Sequence, residues 1–330
     1  MDLPVPCPIN AGWELVRTVA LPREGHDGLR LGGFSAAAYQ PGFDRLWLLS
    51  DAAQGHLVPW GGLARLLRQQ AGGLNHEVEL KPGPRLLLRD RDGRPLPAGF
   101  DGEALVLDGH QAWIASEGLR TANRPARLLR FDLRNGRQQE SRSLPSSWQA
   151  RPGQGLAANK GPESLTRLSS GDLLLAAERP LLQSSAKTVI PMARSRAEGL
   201  PQPAGALDLR SAAPADGLTD LLALPQQQRL LALVRGYQPP LDWSVRLLLF
   251  RLKTPAAAPL LPLAGWDLLK TGLPPDNWEG LTIGPRLSDG RSTLVLVNDD
   301  NFSPFQSSRV AVLAPRRSTS CSDSLSLLRL

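Results

Sequence analysis

Acidic side chains recur at two fixed places in a phrase that the sequence repeats five times. The first place lies in a Gly-containing turn before an apolar strand, and its occupants, in chain order, are Ser35, Glu103, Glu163, Asp220 and Glu279. The second place follows the next apolar strand, and its occupants are Asp51, Glu117, Glu178, Arg235 and the pair Asp299 and Asp300. Carboxylates that converge on one point repel one another and lose hydration unless a cation neutralises them. This pattern therefore favours a cation site.

The types of the candidate ligands indicate which cation would fit. The four histidines, at positions 26, 56, 76 and 110, show no paired spacing, and the two cysteines form no CxxC pair. Oxygen ligands without nitrogen or sulfur suit a hard cation, Ca²⁺ before Mg²⁺. A structural alternative stays open for each single acid, which could instead accept hydrogen bonds from backbone N–H groups of a neighbouring repeat.

The repeat itself predicts the fold. A unit made of paired strands cannot bury its apolar face alone, so the copies must stack or close into a ring. The aligned positions Phe34, Ala104, Ser164, Leu218 and Gly280 step by 70, 60, 54 and 62 residues. Each step has room for one four-stranded blade and a long loop. We therefore expect an all-β, closed β-propeller with five blades, or with six if residues 57–100 hide a degenerate blade.

The two ends of the chain are expected to meet. Only one further apolar run, residues 309–314, follows the last copy of the phrase, so that blade lacks a fourth strand. The unused run at residues 13–22 is the candidate, and its pairing would close the ring and remove exposed sheet edges. The expected organisation is an N-terminal tail (1–12), a single propeller domain (13–314) and a C-terminal tail (315–330). Cys7 and Cys321 would then be near each other, either as a disulfide or as two free thiols.

Composition excludes several classes of function. The chain has 330 residues, a net charge of +7 and scattered arginines, and its 5% aromatic content disfavours a nucleic-acid partner. No run of 18 apolar residues predicts a membrane span, and neither GxSxG nor GxGxxG occurs. The start of the sequence shows no signal peptide, so localisation stays open; an extracytoplasmic site would require a different true N-terminus. We expect a monomer that acts on a small molecule.

Several short phrases, in a fixed order, carry a family resemblance. They are Gly33–Ser35, Asp101–Ala104, Ser116–Gly118, Pro162–Leu165, Gly217–Leu221, Asn277–Leu281 and Asn298–Ser303. In this order they resemble the phytase-like domain family, which carries the description "esterase-like activity of phytase". The resemblance implies a β-propeller that hydrolyses ester bonds, phosphate esters among them, with acidic residues at the channel. The fourth copy departs from the pattern, because similar sequences tend to carry an acid before Arg235, and this puts the ligand from that blade in doubt.

The residues and the resemblance together predict a phytase-like or esterase-like hydrolase of phosphate or carboxylic esters. The expected catalytic residues are Glu163, Glu279 and Glu103. The cations expected to bind an anionic substrate group are Arg179, Arg235 and Lys160. The expected ligands for Ca²⁺ are Glu103, Glu163, Glu279, Asp51, Glu117, Glu178, Asp220, Asp299 and Asp300. The alternative is a non-catalytic propeller that binds a ligand or a protein partner on its loop face.

Overall fold

The structure is a closed five-bladed β-propeller, as the repeat predicts. The computed structural model describes residues 5–69, 79–119, 121, 123–210, 216–224, 228–252, 258–318 and 321. Each blade is an antiparallel sheet whose strands follow one another along the chain, apart from the strand that closes the ring. Within the described part of the chain, no helix has the length and apolar character that a membrane crossing requires.

The N-terminal strand β1 (Trp13–Ala20) precedes the first blade. The first blade contains β2 (Phe34–Gln40), β3 (Arg45–Ser50), β4 (His56–Gly61), helix α1 (Leu63–Gln69), β5 (Lys81–Pro82) and β6 (Leu86–Leu87). The second contains β7 (Gly102–Asp108), β8 (Gln111–Ser116), β9 (Arg127–Asp132) and β10 (Gln138–Ser143). The third contains β11 (Ser164–Arg167), β12 (Leu173–Ala176), β13 (Val189–Ser195) and β14 (Gln202–Asp208).

The fourth blade contains β15 (Gly217–Leu224), β16 (Arg229–Gln238), β17 (Asp242–Arg251) and β18 (Pro262–Asp267). The fifth contains β19 (Trp278–Arg286), β20 (Ser292–Asn298), β21 (Arg309–Pro315) and, as its outer strand, β1. In every blade the first strand in chain order lies innermost, except that β1 joins the fifth blade from outside. The five innermost strands contact one another in the closed order β2, β7, β11, β15, β19 and back to β2.

The ends of the chain close the ring. β1 runs antiparallel to β21, with Trp13 opposite Pro315 and Ala20 opposite Arg309. The predicted pairing is therefore confirmed. Cys7 and Cys321 form a disulfide whose Cα atoms are 5.9 Å apart, which decides between the two alternatives that the sequence left open.

Residues 57–100 do not form a sixth blade in the part of this segment that the structure describes. β5 and β6 have two residues each, and both pair with β4, so they complete the first blade instead of starting a new one. The predicted alternative of six blades is wrong. The segment was ambiguous because its apolar runs are too short to be separated into strands by periodicity alone.

The hydrophobic core lies between neighbouring blades and holds the inner strands in place. One cluster joins Trp60 and Val58 of the first blade to Val295 and Val310 of the fifth. Within it, the rings of Trp60 and Phe34 meet edge to face with centroids 6.2 Å apart. Because such interiors are tightly packed, the side chains at the inner ends of the blades have fixed positions.

Candidate functional site

Three glutamates that the sequence predicted as catalytic occupy equivalent positions on the inner strands. In the first, second, fourth and fifth blades a residue near the start of the inner strand forms a β-bulge, and these residues are Ser35, Glu103, Thr219 and Glu279. A bulge leaves one residue outside the strand pairing and redirects its side chain. The closed ring of inner strands thus gives these positions a common orientation relative to the axis.

In the third blade, Glu163 takes the same place. Glu178 N–H donates to the Gly161 carbonyl at 2.8 Å, just as Glu117 N–H donates to the Asp101 carbonyl at 2.9 Å. Two residues after the accepting carbonyl stand Glu163 in the third blade and Glu103 in the second. The two glutamates are therefore equivalent.

The fourth blade departs from the predicted alignment. Its bulge residue is Thr219, so Asp220 lies one position further along the strand than the alignment of the five repeats predicted. The Asp220 carboxylate instead accepts hydrogen bonds from the backbone N–H groups of Leu281, at 2.7 Å, and Leu221, at 2.8 Å. Burial raises the pKa of Asp220 well above its usual range, although these bonds lower it. The side chain links the inner strands of two blades, which corrects its predicted equivalence to the three glutamates.

The second set of acids keeps its predicted alignment. Each residue follows the second strand of its blade and donates its backbone N–H to the turn before the inner strand: Asp51 to Gly33, Glu117 to Asp101, Glu178 to Gly161 and Asp299 to Asn277, at 2.8 to 2.9 Å. In the fourth blade, the register of β15 against β16 gives this place to Arg235. Four acids and one guanidinium thus occupy the same place in the five blades, directly after the second strand of each.

Three cations that were expected to bind substrate form ion pairs with channel acids. Lys160 Nζ lies 2.6 Å from Glu178 Oε2, and Arg179 Nε lies 3.6 Å from Glu178 Oε1. Arg235 Nη2 donates to Glu279 Oε1 at 2.6 Å, and Asn277 Nδ2 donates to the same oxygen at 2.9 Å. Burial raises the pKa of Glu279, and Arg235 opposes that rise. The protein itself therefore supplies positive charge to the acids on the side of the third, fourth and fifth blades.

A second group of acids has no such compensation. One carboxylate oxygen from each of Asp51, Asp101 and Glu103 lies within 4.8 Å of the other two. No ion pair from a lysine or arginine to these three is found in the described part of the chain. Burial, followed by the charge of Glu279, raises the pKa of Asp51 to about 7. Burial and the same neighbour raise the pKa of Glu103 well above its usual range.

Two buried carboxylate oxygens lack a hydrogen-bond partner among the described residues: Asp51 Oδ1, which belongs to this group, and Asp300 Oδ2, which lies beside it. Asp300 is completely buried, and its other oxygen accepts the Gly33 N–H at 2.8 Å. The pKa of the adjacent Asp299 is raised to about 9 by burial and by the charge of Glu279. An unpaired buried carboxylate oxygen is costly, so a ligand with positive charge would stabilise it.

The alignment of the five repeats did not identify Asp101 as a site residue. Asp101 occupies the place that Gly33 takes in the first blade, and both have a positive φ, +52° and +61°. Non-glycine residues rarely adopt this conformation, and aspartate is one of the few that tolerate it. An acid in a turn position that is glycine or asparagine in the other copies was the available signal.

Glu163 and Glu117 lie between the compensated and the uncompensated acids. Glu163 is 7% exposed, and burial, followed by the charges of Glu178 and Glu117, raises its pKa well above the usual range. Glu117 accepts a hydrogen bond from the Gly161 N–H, yet burial still raises its pKa to about 8. Each of the two side chains is therefore influenced by Glu178 on the compensated side and by an acid of the uncompensated group, Glu103 for Glu163 and Asp101 for Glu117.

Comparison with known proteins identifies a family for this chain. The phytase-like family model, described as "esterase-like activity of phytase", matches residues 29–302. Among solved structures, an endo-arabinase from Bacteroides thetaiotaomicron is 11% identical, with a TM-score of 0.49 over 88% of this chain and 96% of its own. A glucose dehydrogenase from Thermus thermophilus is 13% identical, with a TM-score of 0.45 over 91% of this chain and 100% of its own.

A comparison with curated proteins finds no match. The two solved structures are too distant to indicate what this chain binds or converts. The family match covers most of the sequence and at least part of every blade, and it includes both positions at which acids recur in the repeat. The chain is a member of the phytase-like family.

Proposed function

We propose that this protein is a cation-dependent hydrolase of phosphate or carboxylic esters, with Ca²⁺ bound by Asp51, Asp101 and Glu103. The observation that carries the proposal is the uneven compensation of charge around the channel. Lys160 and Arg235 lie against the acids of one side, whereas the three proposed ligands converge without a cation from the described part of the chain. Like charges held together in this way are relieved either by protonation or by a counter-ion, and we propose the counter-ion.

The donor set fits a hard cation. Ca²⁺ takes about 6 to 8 oxygen ligands from carboxylates, carbonyls and water, and needs no nitrogen or sulfur. The unpartnered oxygen of Asp51 belongs to the proposed set, and that of Asp300 lies nearby. Gly32 and Gly33 leave room for these two carboxylates, because a Cβ at Gly32 would meet Asp300 and a Cβ at Gly33 would meet Asp51. The turn is therefore shaped around the acids.

A cation at this place would polarise an ester oxygen and activate a water molecule. The chain's own residues would do the rest. Glu163 is buried beside Glu103 and Glu117, and the positive charge of a bound cation would lower its raised pKa, so that its carboxylate would accept a proton from the attacking water. Arg235 is held against Glu279, and Lys160 against Glu178; both present positive charge to an anionic group of a substrate.

The test measures Ca²⁺ binding by calorimetry and the hydrolysis of p-nitrophenyl phosphate and p-nitrophenyl acetate, with and without a chelator. We expect binding and hydrolysis of at least one substrate, both abolished in the Asp51→Asn, Glu103→Gln double variant. Asp289→Asn, which removes an acid paired with Arg291 away from the channel, is the matched control. Ca²⁺ binding without hydrolysis of either ester would favour the alternative, a non-catalytic propeller that binds a ligand or partner.

A further inference from the structure

A cavity of about 210 Å³ lies at the boundary between the first and second blades. One wall comes from the segment that enters β7 and includes Leu96 and Phe100. The other wall comes from the second blade and includes Arg127 and Leu129 on β9. Leu129 belongs to the same apolar cluster as Leu57 of the first blade, so this face of β9 is turned towards that blade. An apolar cavity of about 150 Å³ holds benzene, so the space accepts a small organic molecule.

Two half-buried arginines, Arg124 and Arg127, line this cavity. Arg127 Nη1 donates to Ser141 Oγ at 3.2 Å, and Arg124 Nη1 donates to the Ala98 carbonyl. A guanidinium carries five N–H donors, so both side chains keep further donors for a ligand. Among the residues that the structure describes, no carboxylate pairs with either arginine, and no acid lines the cavity.

Other arginines around the second blade have acidic partners. Arg130 Nη2 lies 3.1 Å from Glu140 Oε2, and Arg142 Nε lies 2.6 Å from Glu140 Oε1. Arg167 Nη2 lies 2.8 Å from Asp108 Oδ2. A positive charge that is partly removed from water is costly unless it is paired. The two cavity arginines therefore lack a negative charge that their neighbours have, and a bound anion would supply it.

The remaining walls combine neutral donors with apolar surface. The amide side chains of Asn123 and Gln138 line the cavity and make no hydrogen bond within the described part of the chain. Leu96, Phe100 and Leu129 supply the apolar surface. Ligand pockets typically combine apolar walls with a few polar groups that fix the orientation of the ligand. A carboxylate or a phosphate suits a guanidinium, because it accepts two parallel N–H bonds.

We infer that this cavity binds a small organic anion. Its carboxylate or phosphate group is held by Arg124 and Arg127, and its apolar body has about the size of a benzene ring. The cavity is separate from the proposed cation site. Ser116 and Gly118 line it, whereas Glu117 between them directs its carboxylate to a backbone N–H at the boundary with the third blade. The inference therefore goes beyond the proposed hydrolase function and does not depend on it.

The experiment measures the binding of four probes by calorimetry, without added Ca²⁺: benzoate, phenylphosphonate, benzamide and inorganic phosphate. Benzamide has the size of benzoate without its charge, and phenylphosphonate contains no ester bond that a hydrolase could cleave. Arg127→Met removes one guanidinium and keeps an unbranched side chain. Arg65→Met is the matched control, because Arg65 is exposed on helix α1 and does not line the cavity.

We expect one of the two aromatic acids to bind at least about 10-fold more tightly than benzamide, since hydrogen bonds between charged groups are stronger than neutral ones. The tighter acid identifies the preferred anionic group. Arg127→Met should weaken its binding by about 10-fold or more, and Arg65→Met should leave it unchanged. Inorganic phosphate should bind more weakly than phenylphosphonate, because it has no apolar body to bury. If Arg127→Met fails to fold, Arg124→Met should weaken binding in the same way.

The Asp51→Asn, Glu103→Gln double variant separates this cavity from the proposed cation site, and it should bind the aromatic acid with wild-type affinity. Loss of binding in that variant, with Arg127→Met unaffected, would place the acid elsewhere and overturn the inference. Equal affinity for benzamide and both acids, or equal affinity of Arg127→Met and Arg65→Met, would also overturn it. None of these results decides the hydrolase proposal, which is tested by ester hydrolysis.

Discussion

Arg235 Nη2 donates a 2.6 Å hydrogen bond to Glu279 Oε1 across the boundary between the fourth and fifth blades. Arg235 stands where the other four blades carry an acid, and Glu279 stands at the bulge of the inner strand. The two side chains are only 16% and 10% exposed. Together with Lys160, which pairs with Glu178, this substitution in the repeat gives the ring of acids a compensated side and an uncompensated side.

Removal of Arg235 should destabilise the fold more than removal of both partners. Arg235→Met leaves Glu279 buried without its guanidinium, and loss of one partner from a buried pair costs about 3 to 5 kcal/mol in the free energy of unfolding. The double variant Arg235→Met, Glu279→Met should recover much of this loss, because no charge is then left unpaired. Urea unfolding of the wild type, both single variants and the double variant measures the coupling. Equal stability of the double variant and Arg235→Met would contradict the pairing.

Variants of Asp51 and Asp220 should separate cation binding from structural support. Asp51→Asn should weaken Ca²⁺ binding by at least about 10-fold, because it removes charge from a hard-cation site. Asp220→Asn should leave Ca²⁺ affinity unchanged but lower the free energy of unfolding by about 1 to 3 kcal/mol, since an amide cannot accept both backbone bonds. Calorimetry and urea unfolding on the same preparations provide the two readouts. A loss of affinity in Asp220→Asn equal to that in Asp51→Asn would show that the carboxylates act together.

The stability of the chelated protein should fall as pH rises from about 4 to 9. Burial and like charges raise the folded-state pKa of Asp51 to about 7, of Glu117 to about 8 and of Asp299 to about 9. An acid with a raised folded pKa binds more protons in the folded state. Its contribution to the free energy of unfolding is therefore largest below its unfolded pKa of about 4 and disappears as the pH rises to the folded pKa. Thermal unfolding in a chelator should therefore show a falling Tm across this range.

Added Ca²⁺ should remove most of that decrease above pH 7, because the cation replaces the lost protons as the source of positive charge. The Asp51→Asn, Glu103→Gln double variant is the control, and its Tm should depend less on pH and hardly respond to Ca²⁺. A Tm in the chelator that rises from pH 5 to pH 9 would falsify the assignment of raised pKa values to the channel acids.

The sequence predicted the fold more completely than it predicted the site. Blade number and ring closure follow from the spacing of apolar runs, and β1 pairs with β21 as the missing fourth strand required. The positions of the site residues depend on single-residue shifts in strand register, which the spacing of apolar runs does not show. In the fourth blade the bulge falls at Thr219, so Asp220 is displaced by one residue and turns to backbone donors.

Asp101 was missed for a different reason, because its position is not one of the two acidic places of the repeat. It lies in the turn before the strand, where the other copies use glycine or asparagine, and only its backbone conformation and its closeness to Asp51 identify it. The ion pairs of Lys160 and Arg235 could not be predicted either, because they depend on which side chains meet, within the third blade for Lys160 and between the fourth and fifth blades for Arg235. Pairwise contacts between blades are set by the curvature of the ring, which a repeat pattern does not specify.

Reduction of the Cys7–Cys321 disulfide should destabilise the propeller without opening the site. The bridge closes a loop of 314 residues, and the entropy of the unfolded chain that it removes corresponds to about 6 kcal/mol. Residues around it also pair: Cys7 N–H donates to the Arg316 carbonyl at 3.0 Å, and Ser318 N–H donates to the Cys7 carbonyl at 2.9 Å. These bonds and the pairing of β1 with β21 remain after reduction. The Cys7→Ser, Cys321→Ser variant should therefore fold, unfold at lower urea concentration and keep its Ca²⁺ affinity. A loss below about 1 kcal/mol would mean that strand pairing alone closes the ring, since this is far less than the chain-entropy estimate.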